Sequence, residues 1–235
     1  ALFQYPKSKH RRQISPRKYK HYRSYKRTLQ TEFSRVCVYC RQPDSSAPNL
    51  NFGVDHYRPK GIPRFANLVC TYENLYYCCG TCNSRKNDYW PLDEKQGPFV
   101  VAPCEHEMAA HLRFNGTTGL VEHRTVEGEH TTELLQLNDA ATVQWRLGTL
   151  RTVRMYATEI EEQSSLLKAA VRLLREGKMS QAQFDDEAKS IQEELEDLRR
   201  TMQSLQANSH YLLYLSNVSA CRYSHHKLQA TVPFA

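Results

Sequence analysis

The sequence predicts an α+β fold: a small β–β–α unit pinned by paired cysteines, mainly helical surroundings, and a C-terminal antiparallel helical hairpin. Three observations predict it. Two pairs, Cys37-Val-Tyr-Cys40 and Cys79-Gly-Thr-Cys82, bracket a stretch that opens on the alternating run Asn51-Phe-Gly-Val-Asp-His56. From Gly80 the residues suit a helix. Beyond residue 139, apolar residues recur at helical spacing in two runs separated by Glu176-Gly177-Lys178. A Cys-x-x-Cys turn aims both sulfurs at one point, and two such turns supply the tetrahedral sulfur set that Zn²⁺ prefers. Cys37, Cys40, Cys79 and Cys82 are therefore the expected ligands of a structural zinc. Four thiolates close its shell, leaving the ion to clamp a unit too small to hold itself together.

A chain of 235 residues can bury a proper core, and 24% charged with 40% hydrophobic residues is ordinary for a globular protein. The expected organisation is a basic arm and helix over 1–36, the cysteine-braced core over 37–92, a β-hairpin and connection over 93–138, and the helical hairpin with a tail over 139–235. A net charge of +7 points to a polyanionic partner, nucleic acid first. Eight cysteines in a short secreted chain would be a disulfide framework. This N-terminus is basic without an apolar segment, and no run reaches membrane-spanning length. The reading is thus cytoplasmic and reducing, with no membrane, and paired cysteines mean metal. Cys70, Cys78, Cys104 and Cys221 read as small buried hydrophobes, since among neighbours only Cys79 has the right spacing to Cys82.

Residues 5–27 carry Arg11, Arg12, Arg17, Lys18 and further cations with no acid before Glu32, interleaved with Tyr5, Tyr19, Tyr22 and Tyr25. Such a stretch fits phosphate contact plus stacking on bases, or else a merely solvated arm. Ser15-Pro16 ahead of residues 18–33 suggests a helix leading into the first cysteine pair. Residues 41–51 read as a surface loop and 51–56 as a strand. Pro59, Gly61 and Pro63 break the chain, residues 68–71 return as a second strand, and the helix from Gly80 carries Asn83, Lys86 and Asn87 on neighbouring turns. Residues 111–126 read as a hairpin turning at Asn115-Gly116, after which Thr131 or Thr132 caps a short helix over 133–138. His106, His111, His123 and His130 lack ligand spacing and read as surface or edge-strand histidines. In residues 140–175 apolar positions recur at helical spacing. Ser180 then caps a second helix, whose stripe from Phe184 through Ala188, Ile191, Leu195, Leu198 and Met202 to Leu205 steps in alternating fours and threes. The hairpin either packs on its own chain or docks a partner protein. The tail Tyr211-Leu-Leu-Tyr-Leu215 reads as a buried helix.

Asp55-His56 with Pro59, Asn74-Leu75, and Cys79-Gly-Thr-Cys-Asn-Ser-Arg-Lys86 together resemble the HNH endonucleases. The departure is Asn83, which replaces the second histidine; many members of the family look like this, and an amide oxygen still suits Mg²⁺. The resemblance implies a ββα-metal finger that hydrolyses phosphodiesters with a divalent ion. His56 would be the general base, its ordinary pKa of about 6.5 leaving neutral imidazole near pH 7. On a strand Asp55 points away from His56, so it can bind Mg²⁺ or Mn²⁺ together with Asn83. Asn74 would tie the loop that fixes His56. Lys86 would hold phosphate by the family pattern and Arg58 by position, with Lys60 and Arg85 as further nucleic-acid contacts. A water nucleophile permits DNA, which is favoured, or RNA. More loosely, Phe52-Gly-Val-Asp-His-Tyr-Arg-Pro-Lys60, Asn74-Leu-Tyr-Tyr77 and Asn83-Ser-Arg-Lys-Asn-Asp-Tyr-Trp-Pro91 resemble the PtuB-type HNH proteins of Septu and retron antiviral systems. That implies a PtuA-like ATPase partner on the helical region. The competing reading is a zinc-dependent nucleic-acid-binding module or adaptor without cleavage.

Overall fold

Two five-residue strands, β1 (Phe52–His56) and β2 (Leu75–Cys79), form an antiparallel pair at the centre of the computed structural model, which describes residues 2–44, 51–94 and 97–206. In their register Asp55 faces Tyr76 and His56 faces Leu75. The second strand is therefore Leu75–Cys79, while residues 63–68 form a 3-10 turn and 68–71 are not a strand. The reason lies in burial. Leu-Tyr-Tyr-Cys-Cys is buried on both faces, so it reads as a continuous apolar run rather than an alternation. Helix α2 (Gly80–Lys86) follows β2 directly and packs back on both strands.

The N-terminal helix is shorter than its sequence suggests: a 3-10 turn over Tyr22–Tyr25, then α1 (Lys26–Glu32). Lys20, Arg23 and Arg27 would stack like charges at helical spacing, which disfavours a longer helix. Nor is the segment before it a free arm. Leu2, Phe3 and Tyr5 are buried, and Phe3 packs edge-on to Phe114 and Trp145 at 5.3 and 5.5 Å. Glu32, the first acid of the chain, is what the segment folds onto. Its carboxylate meets His10 Nε2 at 2.6 Å, accepts the backbone N–H groups of Gln13 and Ile14 at 2.8 and 2.9 Å, and accepts the Tyr72 hydroxyl at 3.1 Å. Burial alone would raise the Glu32 pKa, but these hydrogen bonds outweigh it and the net shift is downward. A depressed carboxylate stabilises the fold above its unfolded pKa of about 4.3, and the gain is lost as pH falls through the folded value. Glu32→Gln is accordingly expected to loosen residues 5–17 at neutral pH, seen as faster tryptic cutting at Arg11 and Arg17; acidification of the native protein should do the same.

Helix α3 (Met108–His111) leads into a hairpin of β3 (Leu112–Phe114) and β4 (Val121–His123). Its connection runs over residues 115–120 instead of turning at Asn115-Gly116, closed by Asn115 N–H on Leu120 O at 2.8 Å, with Gly119 at φ +75°. Helix α4 (Val126–Leu134) starts earlier than expected. Thr125 caps it, accepting Gly128 N–H at 3.1 Å, and Glu127 and Glu129 suit its positive end. Thr131 and Thr132 are buried within it.

Asp139 caps α5 (Ala140–Arg175) by accepting Thr142 N–H at 3.1 Å. Gly177, at φ +67°, turns the chain, and Ser180 Oγ accepts Gln183 N–H at 3.3 Å at the start of α6 (Gln181–Gln206). The two helices fold back on each other. Ala188, Leu195 and Met202, seven residues apart, are buried; Leu195 and Met202 pack with Ile160 of α5. Among the described residues no helix is long and apolar enough to cross a membrane. The tail stretch 211–215 and Cys221 lie outside the described residues.

Candidate active site and metal centre

The Sγ atoms of Cys37, Cys40, Cys79 and Cys82 lie within 4.8 Å of one another, and all four residues are buried. Local backbone brings each pair together. The first turns on Arg41 N–H to Cys37 O at 3.1 Å and docks against β2 through Val38 N–H to Tyr77 O at 3.1 Å. In the second, Cys79 ends β2 and caps α2, its Sγ accepting Cys82 N–H at 3.4 Å. Cys40 Sγ stands 3.8 Å from Cys79 Sγ, matching the ~3.8 Å edge of a tetrahedron with metal–sulfur bonds of about 2.3 Å. Burial pushes the Cys37 thiol up, yet hydrogen bonds from the other three thiols pull it well below the ordinary value. Cys40 is pushed well up, first by its bond with Cys37. Four buried sulfurs converging on one point fit zinc, whose charge would hold them as thiolates.

His56 closes β1 on the face opposite Asp55. Its Nε2 lies 3.0 Å from Val69 O; a carbonyl only accepts, so Nε2 carries the proton and Nδ1 holds the free lone pair. No hydrogen bond among the described residues engages Nδ1, and it is not one of the sealed, unpartnered polar atoms. Burial lowers the His56 pKa, partly offset by the Val69 bond, which keeps the ring neutral near pH 7.

Asn74 holds the loop that carries Val69. Its Oδ1 accepts Arg58 N–H at 2.8 Å, and its Nδ2 donates to Arg58 O at 3.0 Å and Leu68 O at 3.4 Å. The residue is 3% exposed. Asn74→Ala removes all three bonds and strands buried backbone groups. The expected cost is about 2–4 kcal/mol, read as a lower Tm with faster amide exchange across residues 57–70.

Each carboxylate oxygen of Asp55 already has a protein partner. Tyr39 donates its hydroxyl to Oδ2 at 2.5 Å, and Lys86 Nζ lies 3.1 Å from Oδ1 while donating to His56 O at 2.7 Å. Burial, then the charge of Asp55, hold the Tyr39 phenol well above its ordinary pKa, so it stays a donor. Lys86 is 1% exposed, placed for this buried ion pair and not for phosphate, because a lysine is buried at low cost only beside a carboxylate. Asn83 is half-buried on the same face of α2 as Lys86, and no hydrogen bond among the described residues engages its side chain. The carboxylate and amide still fit a hard cation chemically. A carboxylate offers about four lone-pair sites, so an ion would share Asp55 with Lys86 or displace it.

The other expected contacts divide. Arg12 sits 4.8 Å from the Phe33 and Tyr72 rings and 5.0 Å from Tyr76, donating to Leu75 O at 2.6 Å. It holds the N-terminal segment down instead of facing solvent. Arg85 donates to Leu135 O at 3.0 Å and pairs with Asp139 at 3.2 Å, tying α2 to the start of α5. Both are committed inside the protein because carbonyls and a carboxylate from other segments reach them. Arg58 lies 5.4 Å from the Trp90 ring and 3.5 Å from Glu105. Arg11, Arg17, Lys18 and Lys60 are exposed. Two participants carried no advance signal: Tyr39, hidden inside the first cysteine pair, and the Val69 carbonyl. Tyr22, expected only among the aromatics of the basic stretch, packs its ring edge-on to His56 at 4.6 Å.

The chain matches no family model, no curated protein and no solved structure.

Proposed function

We propose that this chain is a metal-dependent endonuclease of the HNH type, hydrolysing phosphodiester bonds in DNA by preference and RNA as an alternative. The observation that carries the reading is the His56 imidazole, fixed in one tautomer by Val69 O, at the end of a strand in a thiolate-clamped β–β–α unit. Nδ1 takes the proton of the attacking water, and the Val69 carbonyl steadies the imidazolium that results. Asn74 keeps that carbonyl in place through Leu68 and Arg58. Mg²⁺ or Mn²⁺ held by Asp55 and Asn83 would neutralise charge on the phosphate and on the departing 3′ oxygen. Zinc on the four thiolates stays structural.

The test is incubation of plasmid, linear DNA and RNA with the full chain in Mg²⁺, in Mn²⁺ or with no divalent ion added, leaving the thiolate-bound zinc in place. Metal-dependent cutting is the expected result, and intact substrates throughout would overturn it. One observation favours a second reading, a zinc-dependent nucleic-acid-binding module or adaptor: both Asp55 oxygens already have protein partners. Binding without cutting in every metal would decide for that reading.

The same proposal extends to a bacterial antiviral system in which a PtuA-like ATPase docks on α5 and α6. Support comes from the PtuB-like stretches of sequence and from α5, where Met155 and Leu166 stand exposed beside the hairpin's own apolar cluster. Co-purification with the ATPase, lost on deleting the hairpin, is the measurement.

A further inference from the structure

Tyr22 is 34 residues from His56 in sequence, yet its ring lies 4.6 Å from the imidazole at an interplanar angle of 67°. It is not there by chance of a loose surface. Tyr25, 2% exposed, anchors the turn, packing edge-on to Tyr19 at 4.9 Å and against Tyr72 at 5.5 Å. Tyr19 N–H donates to the Tyr25 hydroxyl at 3.0 Å, Ser24 N–H donates to His21 O at 3.0 Å, and Cys70 Sγ lies 3.2 Å from Lys20 O. The Tyr22 side chain is thus held in place while the residue stays partly exposed.

Cations surround that hydroxyl. Lys60 Nζ donates to it at 3.4 Å and stands 5.2 Å from the ring centroid; the Arg23 guanidinium is 5.8 Å from the same ring. Lys60 reaches the spot because it follows the buried Pro59, four residues beyond His56. No ion pair among the described residues engages Lys60 or Arg23. Bonding to Arg23 and then to Lys60 lowers the Tyr22 pKa despite some burial, which makes its O–H a better donor. Two cations with no ion-pair partner among the described residues and one donor hydroxyl, assembled beside an imidazole, are a site for an oxyanion.

We propose that Tyr22 and Lys60, with Arg23 beside them, form a clamp for the phosphate oxygens of nucleic acid at His56. This deepens the nuclease reading and rests on it for the identity of the reacting phosphate. Lys60 and Arg23 neutralise the backbone charge, and the Tyr22 hydroxyl, released from Lys60, donates to a non-bridging oxygen. The segment before α1 thereby contributes to substrate binding at one defined residue and not through diffuse charge.

Fluorescence anisotropy with no Mg²⁺ or Mn²⁺ added, and no chelator so that the thiolate site keeps its zinc, tests the clamp without any need for cleavage, using labelled single-stranded DNA, duplex DNA and RNA oligonucleotides across a range of NaCl. Lys60→Ala should reduce the slope of log affinity against log salt by about one. Tyr22→Phe keeps the ring on His56 but removes the donor; it should leave the slope unchanged and weaken binding roughly ten-fold. Because the two groups touch, the double variant should lose less than the product of the single effects. Lys168→Ala, on an exposed position of α5, serves as the control and should change neither quantity. Wild-type binding by both single variants, or effects that simply multiply, would overturn the clamp. Cutting by both variants at the wild-type rate would do so too while sparing the nuclease; clamp-dependent binding with no cutting in Mg²⁺ or Mn²⁺ would do the reverse.

Discussion

Cys79→Ser is expected to yield protein that retains no stoichiometric zinc and does not hold its central fold. Cys79 does three things at once. It ends β2, it caps α2 through Cys82 N–H, and its sulfur faces Cys40 Sγ across 3.8 Å. A serine hydroxyl could still cap the helix, so the loss falls on the metal. Zinc binding to small thiolate sites is worth about 10–16 kcal/mol at neutral pH, against a typical net stability of about 5–15 kcal/mol for a whole domain. Two five-residue strands and a seven-residue helix are marginal by themselves, so the clamp decides whether they persist. The contrast is Cys78→Ala. Cys78 is fully buried one position away, pairs with Gly53 and belongs to the other face of the sheet. Its loss should cost only about 1–2 kcal/mol with full zinc content. Metal analysis and thermal melting of the two variants separate the cases, and a zinc-free but fully folded Cys79→Ser protein would remove the clamp from the account.

His56→Ala is expected to abolish cleavage while leaving nucleic-acid binding and zinc content near the wild type. Among the described residues the imidazole makes one hydrogen bond, to Val69 O, and packs against Tyr22. His56 is buried, so its loss costs about 1–3 kcal/mol, but the loop persists because Asn74 separately holds both Arg58 and Leu68. A general base typically contributes about 10²–10⁴ in rate. Single-turnover cleavage reads that fall directly. Equal rates for the variant and the wild type would leave Nδ1 with no part in the reaction, whatever the role of the metal.

Local patterns in the sequence translated well where the physics is local. The i, i+3 cysteine pairs place their sulfurs through one turn of backbone, and the seven-residue repeat of Ala188, Leu195 and Met202 fixes one helix face without reference to any other segment. The failures have separate causes. Leu75–Cys79 lacks alternation because it is buried on both faces, and Thr125 takes the cap expected of Thr131 or Thr132 because the helix begins at the acidic turn. The free basic arm dissolves because Glu32 gathers His10, Gln13 and Ile14 onto one carboxylate.

By itself the sequence determined the thiolate quartet, the strand ending in Asp55-His56 and the antiparallel pair of long helices. Only the tertiary structure decided what each charge meets. Lys86 went inward to Asp55, 31 positions away, and Arg12 to the carbonyl of Leu75, 63 positions away, while Lys60 stayed outside beside Tyr22. The physical reason is that periodicity and turn spacing are properties of neighbouring residues, whereas a cation is buried or exposed according to oxygens delivered from distant parts of the chain.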